Sequence, residues 1–119
     1  MSQFSNRYDL EERTAKFGEG VIVFCRTLKL DEITKPIINQ LVRSATSIGA
    51  NYSEANNASS RKDFTNKIFI CKKEAQETKH WLRMLSKTSS EKTREIKILW
   101  AECQELTMIF QKICNTLRK

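Results

Sequence analysis

One histidine (His80), one proline (Pro36) and three glycines (at 18, 20 and 49) are all that 119 residues contain of these types. Each scarcity excludes something. Nucleophilic catalysis by serine or cysteine normally needs a histidine beside it, and only His80 is available. The glycines form no phosphate-cradling loop. So little turn-forming material suits a few long helices with short connections, and Thr and Val are too scattered for strands. No run approaches the ~20 apolar residues of a membrane span. The opening MSQFSNRYDLEERT has no apolar signal region, so a cytoplasmic location is expected. The four cysteines, Cys25, Cys71, Cys103 and Cys114, lack CxxC spacing and border or fall within apolar stripes. They are expected to be reduced small hydrophobes, not disulfides or zinc ligands.

What the chain has is charge, unevenly placed. The net charge is +7. Residues 1–60 hold seven Lys/Arg against seven Asp/Glu, whereas residues 61–119 hold fourteen against seven, so the excess lies wholly in the second half. That bias suits a polyanionic partner and equally suits solubility.

The apolar periodicity predicts an all-α protein, a single domain over residues 1–119 with helices at about 8–28, 35–57, 61–87 and 91–117. The first carries Leu10, Thr14, Phe17, Val21, Phe24 and Leu28, stepping by four and three, with Gly18 and Gly20 inside it at a cost of about 1 kcal/mol each. Asp31 and Thr34 are candidate N-caps for the second helix, with Pro36 tolerated in its first turn. The third carries Phe64, Ile68, Cys71, Ala75, Thr78, Leu82 and Leu85, preceded by a Ser60/Asp63 capping pattern. A Thr88/Glu91 capping box is expected to open the fourth, whose stripe is Leu99, Cys103, Leu106, Phe110, Ile113 and Leu117. Four amphipathic helices with short connections predict an antiparallel up-down-up-down four-helix bundle.

Two polar features lie off these stripes. The second helix has a line of Gln40, Arg43, Ser47, Asn51 and Glu54 with no lysine, although lysine is the better helix former. Ser and Asn compete for backbone hydrogen bonds, so something besides helix stability selects them. On the third helix Glu74, Glu77 and Trp81 form one flank, and Lys72, Gln76, Lys79, Arg83 and Lys87 form a basic one. The first set predicts a subunit interface or polar network specified by charges and amides. The second is a possible nucleic-acid contact, electrostatic and salt-sensitive because the stripe itself lacks aromatic interleaving. A lysine-rich solvated face is the plainer reading of it.

The segments QLVRSATSIGANYSEA and SRKDFTNKIFICKKEAQETKHWLRML resemble a family of bacterial four-helix-bundle proteins first noticed as reading frames within intervening sequences of large-subunit ribosomal RNA genes. The pattern is carried by Gln40, Arg43, Ser47, Ile48, Asn51, Glu54, Asp63, Phe64, Glu74, Glu77, Trp81 and Leu82. Tyr52-Ser53-Glu54-Ala55 stands where many relatives read Ile-Ala-Glu-Gly, a departure shared by one branch. The resemblance implies a bundle that assembles into a ring, a pentamer, in a family with no established enzymatic activity. It also implies kinship with accessory proteins of retroelement reverse transcriptases that bind nucleic acid.

The one enzyme-like motif is Glu77-Thr78-Lys79-His80, half of a di-iron carboxylate site. The second Glu-x-x-His that such a site needs has no histidine to supply it. No cofactor is expected. The leading expectation is a non-enzymatic, homo-oligomeric scaffold or adaptor for an unidentified protein, and the alternative is an accessory protein that binds RNA or DNA.

Overall fold

The four stripes become four helices: α1 (Ser2–Cys25), α2 (Thr34–Asn56), α3 (Arg61–Ser86) and α4 (Thr93–Leu117), the last entered through a 3-10 turn at Ser90–Lys92. The computed structural model describes the backbone of residues 2–118 and the side chains of residues 10–118. Among these there is no strand, and no helix is long and apolar enough to cross a membrane.

Short connections force each helix to reverse on its predecessor, and cross-helix pairs record the antiparallel register. On α2 and α3, Glu54 pairs with Lys67 while the earlier Arg43 pairs with the later Glu74 and Glu77. On α3 and α4, Lys79 meets Gln104 while the earlier Lys72 meets the later Gln111. The four helices close into a bundle, with α1 packed on α2 and α4, and α3 on α2 and α4.

Local chemistry sets the boundaries. α1 begins earlier than expected and stops at Cys25 instead of Leu28, where the Thr27 hydroxyl takes the Phe24 carbonyl at 2.7 Å. Asp31 and Thr34 cap α2 reciprocally: Asp31 Oδ1 accepts the Thr34 amide at 2.8 Å, and Thr34 Oγ1 accepts the Asp31 amide at 2.9 Å. Ser60 Oγ accepts the Asp63 amide at 3.0 Å and opens α3. The expected Thr88/Glu91 box is absent, because Thr88 donates its hydroxyl to the Leu85 carbonyl at the end of α3. The chain then spends residues 90–92 in the 3-10 turn, and α4 starts at Thr93 instead of residue 91.

The core follows the predicted seam on α3, where Ile68, Cys71, Ala75, Leu82 and Leu85 are fully buried and only Phe64 is half-buried, and α2 faces it with Leu41, Ala45 and Ile48, also fully buried. On α4 the buried line is Ile96, Cys103, Leu106, Phe110 and Cys114, with Leu99, Ile113 and Leu117 half-buried at its edge. The glycines of the first bundle pair divide by direction. A Cβ on Gly18 would meet Thr46 and Ala45 of α2 at 3.5–3.6 Å, whereas a Cβ on Gly20 would meet nothing within 4 Å.

Candidate functional site

Arg43 is the hub of the polar features read from the sequence. Its Nε donates to Gln40 Oε1 at 3.0 Å, one terminal nitrogen to Glu74 at 3.3 Å and the other to Glu77 Oε1 at 2.5 Å. Trp81 Nε1 reaches the same Glu77 oxygen at 3.4 Å. A guanidinium fork and a Glu-x-x-Glu pair one helical turn apart match well, since residues three apart share a helix face. Burial pushes the Glu77 carboxyl up, but hydrogen bonds from Arg43 and Trp81 outweigh it and leave it below its ordinary value. Five of the eight candidate residues therefore join in one chain across α2 and α3. The others behave differently. Ser47 donates back to the Arg43 carbonyl at 2.7 Å, Asn51 to the Ser47 carbonyl at 2.8 Å, and Glu54 pairs with Lys67 at 2.6 Å.

Beneath this network the seam is sealed by small polar groups. The Ser44 and Thr78 hydroxyls lie 2.9 Å apart, fully buried: Ser44 donates to the Leu41 carbonyl, and Thr78 shares its one proton between Ser44 Oγ and the Glu74 carbonyl. The Cys71 thiol donates to the Ile48 carbonyl, and the Cys103 thiol to the Ala75 carbonyl at 3.1 Å. Burial pushes both thiols up to about 12 and Cys25 up to about 11. All four cysteines are free and buried.

The same device recurs on the opposite side of the bundle, unnoticed in the sequence. Arg13 of α1 donates to both Glu102 oxygens at 2.7 and 2.8 Å and to Glu105 at 2.8 Å. A signal was present: Glu102-Cys103-Gln104-Glu105 echoes Glu74-Ala75-Gln76-Glu77, and Arg13-Thr14 echoes Arg43-Ser44. Here, however, the seam stays open. Two grooves of about 510 and 320 Å³ run between α1 and α4, sharing Gly20, Ile98 and Leu99, with Phe17 in one and Val23 and Phe24 in the other. Val23 is 65% exposed and Ile98 61%. Among the described residues, no large hydrophobic side chain of α2 or α3 is comparably exposed beyond the Ile33 cap.

The basic flank of α3 is not the uniform stripe that a single helix suggests. Lys72 donates to Gln111 at 3.1 Å and Lys79 to Gln104, both half-buried against α4, while Gln76, Arg83 and Lys87 stay exposed. Aromatic rings, missing from the stripe itself, stand beside it, Trp100 on α4 and Phe69 on α3. The Lys79 ammonium lies over the Trp100 ring at 5.3 Å, and Lys72 and Arg118 lie over Phe69 at 6.0 and 5.5 Å.

The Glu-x-x-His motif does not point into the core. Glu77 is held by Arg43 and Trp81, and exposed His80 stands edge-on to Trp81 at 4.8 Å. Among the described residues, no group of three or more His, Cys, Asp and Glu is placed to hold a metal ion.

No curated protein matches this chain. A solved structure does: a protein with unknown function from the S23 ribosomal protein family of Bacteroides thetaiotaomicron, 30% identical, with TM-score 0.82 over 92% of this chain and 97% of that one. Residues 8–112 match the model of the 23S rRNA-intervening sequence protein family, a span that takes in Arg13, Arg43, both Glu-x-x-Glu pairs and the whole basic flank. With that match and the four-helix bundle, the chain belongs to the 23S rRNA-intervening sequence protein family.

Proposed function

We propose that this protein is a non-enzymatic, self-assembling scaffold whose copies meet through the open α1–α4 face. The observation that carries the reading is the apolar groove there, flanked by Val23 and Ile98 and empty at Gly20. Its occupant is a second copy of the chain. The groove takes an apolar ridge, and the chain's own exposed hydrophobics outside the groove include Ile22 on another side of α1 and Met108 on the outer surface of α4. A groove-to-ridge contact joins two different surfaces, and such head-to-tail contacts form a ring when the rotation between copies closes and a filament when it does not. Five is the number that the family resemblance implies.

The assembly surface so assigned differs from the α2–α3 line expected from the sequence, because Arg43, Glu74 and Glu77 already satisfy one another within the chain. The non-enzymatic part rests on buried thiols with raised pKa and on a lone histidine beside an indole, not a nucleophile. Light scattering at micromolar concentration tests the reading. The wild type is expected at a multiple of 13.9 kDa, and Val23→Glu with Ile98→Glu at 13.9 kDa itself. A wild-type monomer would overturn it.

A further inference from the structure

A second cleft, of about 450 Å³, opens on the other flank of α4 and has a different chemistry. Leu82 and Ile96 floor it, Trp100 walls it, Ser86 and Thr93 offer hydroxyls, and Arg83 and Lys97 supply cations. No carboxylate lines it, and neither cation is ion-paired to a described residue. Trp100 is 40% exposed, so part of its ring is open to a ligand in the cleft. Lys79 holds the ring, being packed on it and tied to Gln104, so the indole is a positioned surface and not a loose one.

We propose that this cleft binds single-stranded nucleic acid, with a base stacked on Trp100 and its flanking phosphates on Arg83 and Lys97. Indole and paired cations together fit a base joined to phosphates, whereas an acidic peptide would use the cations and leave the indole and apolar floor bare. A duplex hides its bases from a cleft of this kind, so it would engage the cations alone. Farther along α3 and α4 the strand meets further cations. Lys79 with Gln104 and Lys72 with Gln111 form two rungs seven residues apart, about 10.5 Å at 1.5 Å per residue, and an ammonium with one bond made keeps donors for phosphate. The α1–α4 groove differs in charge: its three carboxylates, Glu12, Glu95 and Glu102, offset its three cations, Arg13, Lys16 and Lys92, so it offers phosphate no net positive lining.

The test is fluorescence anisotropy on the full chain with four probes: a labelled single-stranded oligouridylate of about 12 nucleotides, an abasic deoxyribose-phosphate strand of that length, a duplex and polyglutamate. The base-bearing strand is expected to bind most tightly. Trp100→Ala should weaken it about tenfold and leave the abasic strand unchanged, while Trp100→Phe keeps most of the affinity. Arg83→Gln with Lys97→Gln should weaken both strands and shallow the salt slope by about 0.7 for each phosphate that is no longer neutralised. Circular dichroism checks the fold of each variant, and if Trp100→Ala does not fold, Trp100→Phe and the abasic strand on wild type still decide. Equal affinity for abasic and base-bearing strands, an unaffected Trp100→Ala, equal binding of polyglutamate, or no binding at low salt would each overturn the proposal.

Discussion

The α2–α3 and α1–α4 seams use one polar device over two different interiors. In each, an arginine forks onto a Glu-x-x-Glu pair: Arg43 onto Glu74 and Glu77, Arg13 onto Glu102 and Glu105. Under Arg43 the helices interlock through Ser44, Ala45, Cys71, Ala75 and Thr78, all fully buried. Beside Arg13 lie Gly20, Val23, Ile98 and Leu99 around open space. The arginine clamp fixes register in both places; what lies beneath it decides whether the seam is closed to partners. Small side chains let α2 and α3 approach, whereas a glycine opposite an exposed isoleucine leaves the α1–α4 seam open, the face proposed above to take a second copy.

If the α2–α3 seam is closed by fit, adding volume there is the most damaging change. Ala75→Leu is expected to cost about 1–3 kcal/mol in urea unfolding, because the site is fully buried and its carbonyl already holds the Cys103 thiol. An unchanged midpoint would mean the seam is looser than described. Thr78→Val tests the hydroxyl pair and should cost about 1 kcal/mol by the same measurement. The open seam responds with the opposite sign. Gly20→Ala is expected to stabilise by up to about 1 kcal/mol in thermal unfolding, since nothing lies within 4 Å of the new methyl and alanine is the better helix former. A loss of stability there would show that α1 and α4 close on Gly20.

The smallest effect expected is electrostatic. Arg43→Gln and Arg13→Gln should each cost well under about 1 kcal/mol, because the forks are partly solvated. The Glu77 carboxyl is held below its ordinary 4.5, so its contribution is present above pH 4.5 and lost as pH falls through the depressed folded value. Stability profiles of wild type and Glu77→Gln should therefore converge at acid pH, and divergence there would contradict the assignment.

How far the sequence carried depends on whether a feature belongs to one helix or two. The α3 seam was legible because Ile68, Cys71, Ala75, Thr78, Leu82 and Leu85 repeat within a single element. So was the company of Arg43, Glu74 and Glu77 as off-seam polar residues. The α4 stripe was misplaced by part of a turn, as Leu99 and Ile113 are apolar and yet sit at its edge. Thr88 was misread as a cap for the next helix because a hydroxyl can equally close the helix before it. Trp100 beside Lys79 was invisible, since a wheel of one helix does not say which neighbour faces it, and the Arg13 fork was signalled only by the echo of Glu74–Glu77 in Glu102–Glu105.

The most direct test of the central contrast is thiol labelling of introduced cysteines, because the native thiols are buried and held unionised. Val23→Cys and Gln40→Cys place one new exposed thiol on the open and the closed seam respectively. The rate of maleimide labelling is measured against protein concentration. Val23→Cys should become protected as concentration rises while Gln40→Cys labels at a constant rate. Protection of Gln40→Cys with Val23→Cys freely labelled throughout would contradict the account and return assembly to the α2–α3 face.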